Sequence, residues 1–553
     1  MSDAKAAKQG AAPGPSGVTD GLKPGPSARL SRADEAPAAA KPALAQDRAL
    51  ADIFRALDSD VSGSLTKAEI LAGLARQGIL QDDNRVSATL HALSGYSEGI
   101  QIDEATFADI VRPNFRLLER VVKGNLVIPS YAPFAAEIGQ IFESCREQRS
   151  GAVADYIPQL ARVDPEQFAL AVCTVDGQRS SYGDSDTAFC IQSSCKPINY
   201  CMALELMGEE AVHRHVGREP SGRSFNELAL NSDNVPHNPL INAGAMICCS
   251  MIRPDFPIAD RFDYVMQTWA ALAGGRRAGY NNAVYLSEKS TADRNFALAY
   301  MMREKRAFPE RTDLLEVLDF YFQCCSIETT AQAMSIVAAT LANAGICPLT
   351  EQRIFSSDTV KNCLSLMYSC GMYDFSGEFA FTVGVPAKSG VSGIMMVVIP
   401  RVMGFAVWSP RLDRLGNSVR GVEFCKRLVK RFNFHNYDGI AELSDKIDPR
   451  SSGASIETDI VFNLINAASK GDMAEISRLI AFGADLDCSD YDGRTPLHLA
   501  AAEGREEVVA YLLARGVNPQ PKDRWGATPH DDAMRHGFEA VAKTLQTVVP
   551  KTR

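Results

Sequence analysis

The sequence predicts a multidomain protein in which a central α+β domain lies between two all-α modules. Three observations support this fold class. A twelve-residue loop, residues 58–69, carries oxygen-bearing side chains at alternating positions after an amphipathic segment. A motif repeats at a spacing of 33 residues near the C-terminus, and strand-like apolar runs lie near both ends of the segment between these two features.

These patterns divide the chain into five parts. Residues 1–46 are rich in Ala, Pro, Gly, Ser and charge, and so predict a disordered tail. Order should begin near Ala49, because apolar residues recur there at helical spacing. We expect a helical domain over 47–135, a domain of catalytic size over 136–440, a linker over 441–457 and helical repeats over 458–548.

The composition excludes several classes of protein. Hydrophobic residues make up 46% of the 553 residues and charged residues 22%, which is ordinary for a globular chain. Lys and Arg total 57 against 67 for Asp and Glu, and this net charge of -10 argues against a nucleic-acid-binding surface. The longest apolar run, 394–400, is far shorter than the ~20 residues of a membrane helix, so no membrane span is expected.

The 14 cysteines and the N-terminus together predict an intracellular protein. No C-x-x-C pair occurs, which argues against zinc and thioredoxin-like sites and favours buried, reduced thiols. The N-terminus has no apolar segment of the secretory type. It also differs from a mitochondrial transit peptide, because it contains Asp3 and Asp20 and has few arginines.

Residues 58–69 match the calcium loop of an EF-hand. The loop has Gly at position 6, where the chain must turn sharply, and a Glu at position 12 that can bind the ion through both oxygens. A second hand without the ligand set is expected around 99–107. The alternative is an EF-hand retained only for packing. The predicted calcium ligands are Asp58, Asp60, Ser62, Ser64 (through its carbonyl), Thr66 and Glu69.

The 33-residue repeat is typical of ankyrin repeats. The segment 492–498 recurs as 525–530, with the Thr-Pro turn conserved in both copies. Three repeats, the first degenerate, predict a small stack over 458–548 that serves as an interaction module for a protein partner. His498 and His530 are therefore expected to be turn residues rather than metal ligands.

The central domain shows strand-like runs at 168–175, 394–400 and 402–408, with helical segments such as 331–343 between them. This order predicts a sheet assembled from both ends of the domain. Ser193 and Lys196 lie three residues apart, on one face of a helix that should begin close to Ser193 and end at Gly208. A buried Lys with a lowered pKa can take the serine proton.

A second motif strengthens the assignment of Ser193 and Lys196 to a catalytic site. Lys388-Ser389-Gly390 leads directly into the apolar run at 394. An S-x-x-K helix followed late in the domain by a K-[ST]-G strand is the layout of serine β-lactamases and penicillin-binding proteins. Residues 232–234 also match the S-D-N box of those enzymes, and we interpret this match as chance.

Several longer segments make the central domain resemble glutaminases, which share the serine β-lactamase-like fold. The resemblance covers about 130–440 and extends through the ankyrin repeats, as in the animal kidney- and liver-type enzymes. The N-terminal module stands where those enzymes carry an EF-hand-like domain. The matching segments are 154–159, 173–178, 237–245, 293–295, 319–323 and 371–377.

The resemblance implies hydrolysis of L-glutamine to L-glutamate and ammonia, with no catalytic cofactor. Ser193 would be the nucleophile, Lys196 its base, and Tyr156 and Tyr373 proton relays. Backbone N–H groups of Ser193 and Val391 would hold the oxyanion. Glu288 would bind the substrate ammonium. The implied substrate-binding residues are Tyr156, Ser193, Asn242, Glu288, Asn295, Tyr321, Tyr373 and Val391.

The resemblance also implies a homodimer or homotetramer, phosphate as an activator and a mitochondrial location. The sequence departs from the kidney-type pattern at Glu227, where that enzyme has Lys, and at Ala229, where it has an aromatic residue. Both positions lie in its activation loop. The N-terminus would place the protein in the cytosol if it is not a transit peptide.

Two alternative functions stay open at this point. One is a β-lactamase-like serine hydrolase of another amide, and the other is a calcium-binding ankyrin scaffold with an inactive centre. A free amino acid substrate needs partners for its ammonium and carboxylate, which Glu288 and the asparagines would supply. A scaffold would have lost some of the matched site residues, and the sequence retains them.

Overall fold

The computed structural model describes residues 40–58, 62–122, 125–222, 228–440, 445–451, 453–481 and 484–546. The described residues divide into two units at Ala49, and nearly all of them belong to the second unit. Helix α1 spans Ala40–Leu57, so it begins nine residues before the predicted start near Ala49. The alanines at its beginning explain the difference, because Ala has the highest helix propensity. The rest of the predicted disordered tail lies outside the described residues.

The N-terminal module packs its helices around one apolar core. Within that core the rings of Phe54 and Phe107 meet edge to face, with their centroids 5.5 Å apart. Leu65 and Ile102 exchange two backbone hydrogen bonds of 2.8 Å, which join the 58–69 loop to the segment of the second hand. The helices after α1 are α2 Lys67–Arg76, α3 Ser87–Ser94, α4 Glu104–Val111 and α5 Phe115–Val122.

The central domain follows with thirteen helices and eight strands among its described residues. The helices are α6 Tyr131–Cys145, α7 Pro158–Ala161, α8 Lys196–Met207, α9 Glu209–His213, α10 Asn242–Met251, α11 Ile258–Leu272, α12 Asn282–Ser290, α13 Asp293–Glu304, α14 Leu314–Cys325, α15 Ala331–Ala342, α16 Ser357–Cys370, α17 Ser376–Thr382 and α18 Val419–Arg431. The strands are β1 Ala169–Thr174, β2 Arg179–Gly183, β3 Phe189–Cys190, β4 Gly279–Tyr280, β5 Ile327–Thr329, β6 Ala387–Ser389, β7 Ile394–Ile399 and β8 Met403–Trp408.

A five-stranded antiparallel sheet forms the middle layer, in the order β2-β1-β8-β7-β6. Ala169 of β1 pairs with Trp408 of β8, so the sheet is built from both ends of the domain, as predicted. Every residue of β1, β7 and β8 is buried. Side chains of these strands alternate between a core that includes α15 and a core that includes α6 and α18. The α+β fold class is confirmed, and a small sheet, β3-β5-β4, lies apart from the main one.

The N-terminal module contacts the central domain at the β1–β2 hairpin. The N–H of Arg179 donates to the carbonyl of Gly78 at 2.7 Å. Asp82 accepts hydrogen bonds from Arg179 at 2.7 and 3.1 Å and also pairs with Arg276. Burial by itself would raise the pKa of Asp82, but the two guanidinium groups outweigh it and lower the pKa. The contact therefore depends on charge.

Three helix pairs form the C-terminal stack: α19 Gly453–Lys470 and α20 Met473–Ala481, α21 Pro496–Ala502 and α22 Glu506–Ala514, and α23 Pro529–Arg535 and α24 Glu539–Gln546. The first of these helices begins within the predicted linker, and 441–444 lie outside the described residues. His498 is buried, and its ring nitrogens contact Thr495 and the carbonyl of Ala527. His498 therefore lies in the first turn of α21 and not in the loop before it, and His530 likewise lies in the first turn of α23.

The fourteen cysteines all lie within the described residues, where all are free and thirteen are buried. Among the helices that the structure describes, none is long and apolar enough to cross a membrane.

Candidate active site

Ser193 lies in a single 3-10 turn, Gln192–Cys195, that leads directly into helix α8. The α-helix begins at Lys196, three residues later than predicted, with Pro197 in its first turn and Gly208 at its end with φ of +80°. Gln192 has φ of +49°, a left-handed conformation that costs energy for a residue with a side chain. The backbone is therefore bent sharply just before the predicted nucleophile.

Lys196 donates hydrogen bonds from its ammonium to two partners. Its Nζ lies 2.8 Å from Ser193 Oγ and 2.7 Å from Asn242 Oδ1. Because 1% of Lys196 is exposed, burial disfavours its charge and lowers its pKa. A lowered pKa brings this amine closer to the neutral form, which can accept the serine proton.

Asn242 connects Lys196 to two further predicted residues. Its Oδ1 accepts a hydrogen bond of 3.2 Å from the hydroxyl of Tyr321, and its Nδ2 donates to Asn295 Oδ1, also at 3.2 Å. Helices α10, α14 and α13 supply these three residues from distant parts of the sequence. The resulting cluster combines amide and hydroxyl groups that suit a carboxylate ligand.

Tyr156 and Glu288 form a second cluster beside the first. The Tyr156 hydroxyl donates a 2.6 Å hydrogen bond to Glu288 Oε1 and lies 3.5 Å from Gln192 Oε1. Burial raises the pKa of Glu288, although Tyr156 and the positive charge of Lys196 oppose this effect. Burial and the Glu288 carboxylate both raise the pKa of Tyr156 well above its usual range. A carboxylate with a raised pKa gains from a cationic ligand.

Tyr373 approaches the nucleophile from the turn that follows α16. Its φ of +53° is left-handed and its side chain is buried. Burial raises the pKa of its phenol, and a hydrogen bond with Ser193 works in the opposite direction. Lys388 Nζ lies 4.6 Å from the centre of the Tyr373 ring and donates to the carbonyl of Ser389 at 2.6 Å. Burial and the charge of Lys196 lower the pKa of Lys388 well below its usual value.

Val391 lies in the turn that joins β6 to β7. The Gly390 N–H donates to the carbonyl of Ile394, and the Gly393 N–H donates to the carbonyl of Gly390, each at 2.9 Å. A Cβ added to Gly390 would come within 2.8 Å of the Ile191 carbonyl oxygen. Gly390 therefore allows this turn to approach the segment that leads into Ser193 closely.

The structure thus brings the predicted residues of the central domain into one region. Contacts link Ser193, Lys196, Asn242, Asn295, Tyr321 and Tyr373, and Gln192 connects this group to Tyr156 and Glu288. A cleft of about 520 Å³ adjoins them and is lined by Tyr373 and Ile241, among others. The 232–234 segment is instead exposed, in agreement with its interpretation as a chance match.

Comparisons with known proteins show the family of the chain and its domains. The family model "Glutaminase" matches residues 151–437, an ankyrin-repeat model matches 464–513 and an EF-hand model matches 50–129. The liver isoform of mitochondrial glutaminase from Mus musculus is 47% identical over 451 residues, which are 81% of this chain and 75% of that protein. The chain belongs to the glutaminase family.

Solved structures of glutaminases resemble the catalytic domain. The probable glutaminase ybaS is 34% identical with a TM-score of 0.52, covering 54% of this chain and 98% of that one. A probable glutaminase from Bacillus subtilis was solved in complex with 6-diazo-5-oxo-L-norleucine. It is 30% identical with a TM-score of 0.50, and the match covers 55% of this chain and 96% of that one. The serine β-lactamase-like fold class predicted for the domain is confirmed.

Two residues of this glutaminase site were not among the sequence-based candidates. Gln192 Oε1 lies 3.5 Å from the Tyr156 hydroxyl, and Lys388 lies against Tyr373. Lys388 stands in the K-S-G motif, so its position was visible in the sequence although its contact with Tyr373 was not. Gln192 gave no signal, because a left-handed residue that is not Gly, Asn or Asp has no local sequence mark.

The EF-hand loop of this glutaminase has a donor set that fits calcium, although its oxygens also bond within the loop. Asp58 accepts from the N–H groups of Ser62 and Gly63 at 2.9 Å, and Gly63 has φ of +75°, as the sharp turn requires. Glu69 Oε2 accepts from the N–H and hydroxyl of Thr66 at 2.7 and 2.8 Å. The predicted ligand Asp60 lies outside the described residues.

Proposed function

We propose that this chain hydrolyses L-glutamine to L-glutamate and ammonia through a covalent ester on Ser193. The observation that carries the proposal is the 2.8 Å contact between Ser193 Oγ and the fully buried amine of Lys196. Neutral Lys196 takes the hydroxyl proton while Oγ attacks the side-chain amide carbon of the substrate. The proton then passes to the departing nitrogen, which leaves as ammonia, and water hydrolyses the glutamyl ester.

Tyr373 is proposed to relay this proton, because it hydrogen-bonds with Ser193 on the side of the cleft. Tyr156 is the second proposed relay and also positions Glu288, to which it donates a 2.6 Å hydrogen bond. The N–H groups of Ser193 and Val391 are proposed to hold the oxyanion, since preorganised donors stabilise the charge that develops there.

Recognition of a free amino acid needs partners for two opposite charges. Glu288 is proposed to bind the substrate ammonium, which would relieve the cost of its partly buried charge. Asn242, Asn295 and Tyr321 are proposed to bind the carboxylate through amide and hydroxyl donors. This pairing favours glutamine over a peptide or a β-lactam, neither of which offers a free ammonium and carboxylate on one carbon.

Ammonia release from glutamine and from asparagine, with and without phosphate, tests the proposed reaction. We expect turnover of glutamine, and a loss of several orders of magnitude in Ser193→Ala. Lys196→Arg should be inactive, because Arg does not lose its proton and so cannot act as the base. Ser194→Ala is the matched control, since Ser194 is the neighbouring buried serine and should keep most activity. Activity above a few per cent in Ser193→Ala would refute the nucleophile, and an inactive wild type would favour the scaffold.

The EF-hand loop is proposed to bind calcium through Asp58, Asp60, Ser62, Ser64, Thr66 and Glu69. Hard oxygen ligands suit this ion, and three carboxylates are fewer than the tightest loops carry, so we expect affinity on the order of 10⁻⁶ to 10⁻⁴ M. Helix α2 begins within the loop and leads to Gly78 and Asp82, which contact the catalytic domain. Calcium is proposed to act on activity through this connection.

We further propose a homodimer or homotetramer, with a protein partner bound at the ankyrin repeats and phosphate as a candidate activator. The segment that departs from the kidney-type pattern falls partly on 223–227, which lie outside the described residues. An intracellular location is supported by thirteen buried free thiols. The name of the Mus musculus relative specifies mitochondria. Sedimentation with and without phosphate, and fractionation of cells, test these points.

A further inference from the structure

A second cavity, of about 340 Å³, opens in the catalytic domain and shares no lining residue with the site described above. Part of its lining is aromatic: Phe189 and Trp408 stack with ring centroids 5.1 Å apart. Another part consists of Leu160, Cys190 and Val284, which pack with Ile157, the neighbour of Tyr156. A thin apolar wall thus separates this cavity from the proposed substrate site.

The charge within this cavity comes from Glu328, on the middle strand of the small sheet. Glu328 pairs with Cys190 of β3 and with Gly279 of β4, and Gly279 has no side chain to cover the carboxylate. Its Oε1 accepts a 2.8 Å hydrogen bond from Asn281 Nδ2. Among the described residues, no Lys, Arg or His lies within ion-pair distance of it. The cavity therefore holds a partly buried carboxylate that forms no ion pair with the described residues.

Two further polar groups of the lining have no hydrogen-bond partner among the residues that the structure describes. Ser392 is 6% exposed, and its hydroxyl has no hydrogen bond within the described part of the chain. Oε1 of Gln159 likewise accepts no hydrogen bond from the described residues. A buried polar group without a partner costs free energy, so a ligand that satisfies both groups gains affinity. Arg162 and Asp164 also line the cavity, but they are exposed and opposite in charge.

We propose that this cavity binds a small ligand with a primary ammonium group. Such a group brings one positive charge for Glu328 and three N–H donors, which match the carboxylate, Gln159 Oε1 and the Ser392 oxygen. The apolar body of the ligand packs beside Phe189 and Trp408.

The position of the cavity makes it an effector site, and this part rests on the proposed function. Ser392 follows Val391, whose N–H is proposed to hold the oxyanion, and Trp408 donates a 2.9 Å hydrogen bond to the Ser392 carbonyl. A ligand on the Ser392 hydroxyl holds this turn and changes the turnover number. Substrate affinity changes less, because the proposed carboxylate partners Asn242, Asn295 and Tyr321 do not line the cavity.

Intrinsic tryptophan fluorescence, to which Trp408 contributes together with Trp269 and Trp525, tests the binding. Full-length protein is titrated with ethylammonium chloride at ionic strength matched with sodium chloride, and ligand-observed NMR serves as a second measurement. We expect saturation at millimolar concentrations, since three heavy atoms cannot bind much more tightly. Glu328→Gln keeps the bond from Asn281 and should weaken binding at least tenfold. Glu310→Gln removes an exposed carboxylate outside the cavity and should leave binding unchanged.

Two results would overturn the site. One is no saturable response by either method up to about 100 mM ethylammonium. The other is an equal response to tetramethylammonium, which carries the same charge without N–H donors. Glutamine turnover is then measured, first without ligand, so that an inactive chain counts against the proposed function alone. A turnover number that ethylammonium changes in the wild type and not in Glu328→Gln supports the effector role, and an unchanged one removes it.

Discussion

Replacing Asn242 with Asp should move the pH dependence of turnover to higher pH. The amide oxygen of Asn242 lies 2.7 Å from Lys196 Nζ, so the substitution places a carboxylate at the same position. The neighbouring Asn295 amide can rotate to offer its NH₂ group, and the local packing is kept. The new negative charge favours the protonated amine and raises the pKa of Lys196. Lys196 then stays protonated up to a higher pH, and in that form it cannot accept the serine proton.

The size of this effect follows from the distance. Two unit charges 2.7 Å apart attract by about 6 kcal/mol at an effective dielectric constant of 20, which is an upper limit of about 4 pKa units. Measured shifts beside one opposite charge are about 1–3 units. Because the neutral amine is the active form, turnover below the new pKa should fall about 10- to 1000-fold. It should recover about tenfold for each pH unit of increase.

The measurement is the turnover number at saturating glutamine between pH 6.5 and 10. Asn295→Asp is the matched control, because it adds the same repulsion of the substrate carboxylate and hydrogen-bonds to Asn242 rather than to Lys196. Both variants should show a higher KM, and Asn242→Asp alone should show a displaced acid limb. If the two variants give superimposable pH profiles, Lys196 is not the base.

Three other changes test separate parts of the structure. Glu288→Gln should raise KM for glutamine about 5- to 30-fold with little change in turnover number, because a neutral bond replaces a charge-assisted one; an unchanged KM would contradict this role. Asp82→Asn should lower the temperature of the first thermal transition and reduce the free energy of unfolding by about 1 kcal/mol, since Asp82 is half exposed. Because the folded pKa of Asp82 is lowered, the difference from wild type should vanish as the pH falls below that pKa. A difference that persists in acid would contradict the ion pair with Arg179. Glu69→Gln should abolish the heat of calcium binding to the full-length chain. Equal heats in this variant and the wild type would show the loop to be structural. Activity that does not change across the calcium titration would remove the regulatory role.

Much of the fold could be predicted because its signals are local. The runs at 394–400 and 402–408 are continuous apolar segments, as expected for strands buried on both faces, and they became β7 and β8. The loop at 58–69 and the ankyrin repeats have fixed spacings that few other structures share. The start of α1 was missed, because the alanine-rich composition that suggested a tail also favours a helix.

The contacts within the site are harder to predict, because they join distant residues. Ser193 and Lys196 are three residues apart, so their contact follows from helical geometry. Asp82 meets Arg179 and Arg276 only through packing of two domains, and no local pattern marks such a partner. The candidate residues Asn242, Asn295 and Tyr321 came from a family resemblance, since single asparagines and tyrosines carry no chemical signature by themselves.

The pairing of β1 with β8 has a consequence for how the protein is made. Ala169 leaves the ribosome roughly 240 residues before its partner Trp408, a delay of about 10–50 s at ordinary rates of synthesis. During this interval β1 has β2 on one side and an open edge on the other, which can pair with other chains. A chain that stops before Met403 never closes this edge. Such truncated forms should depend on chaperones and collect in inclusion bodies, even though they retain Ser193 and Lys196.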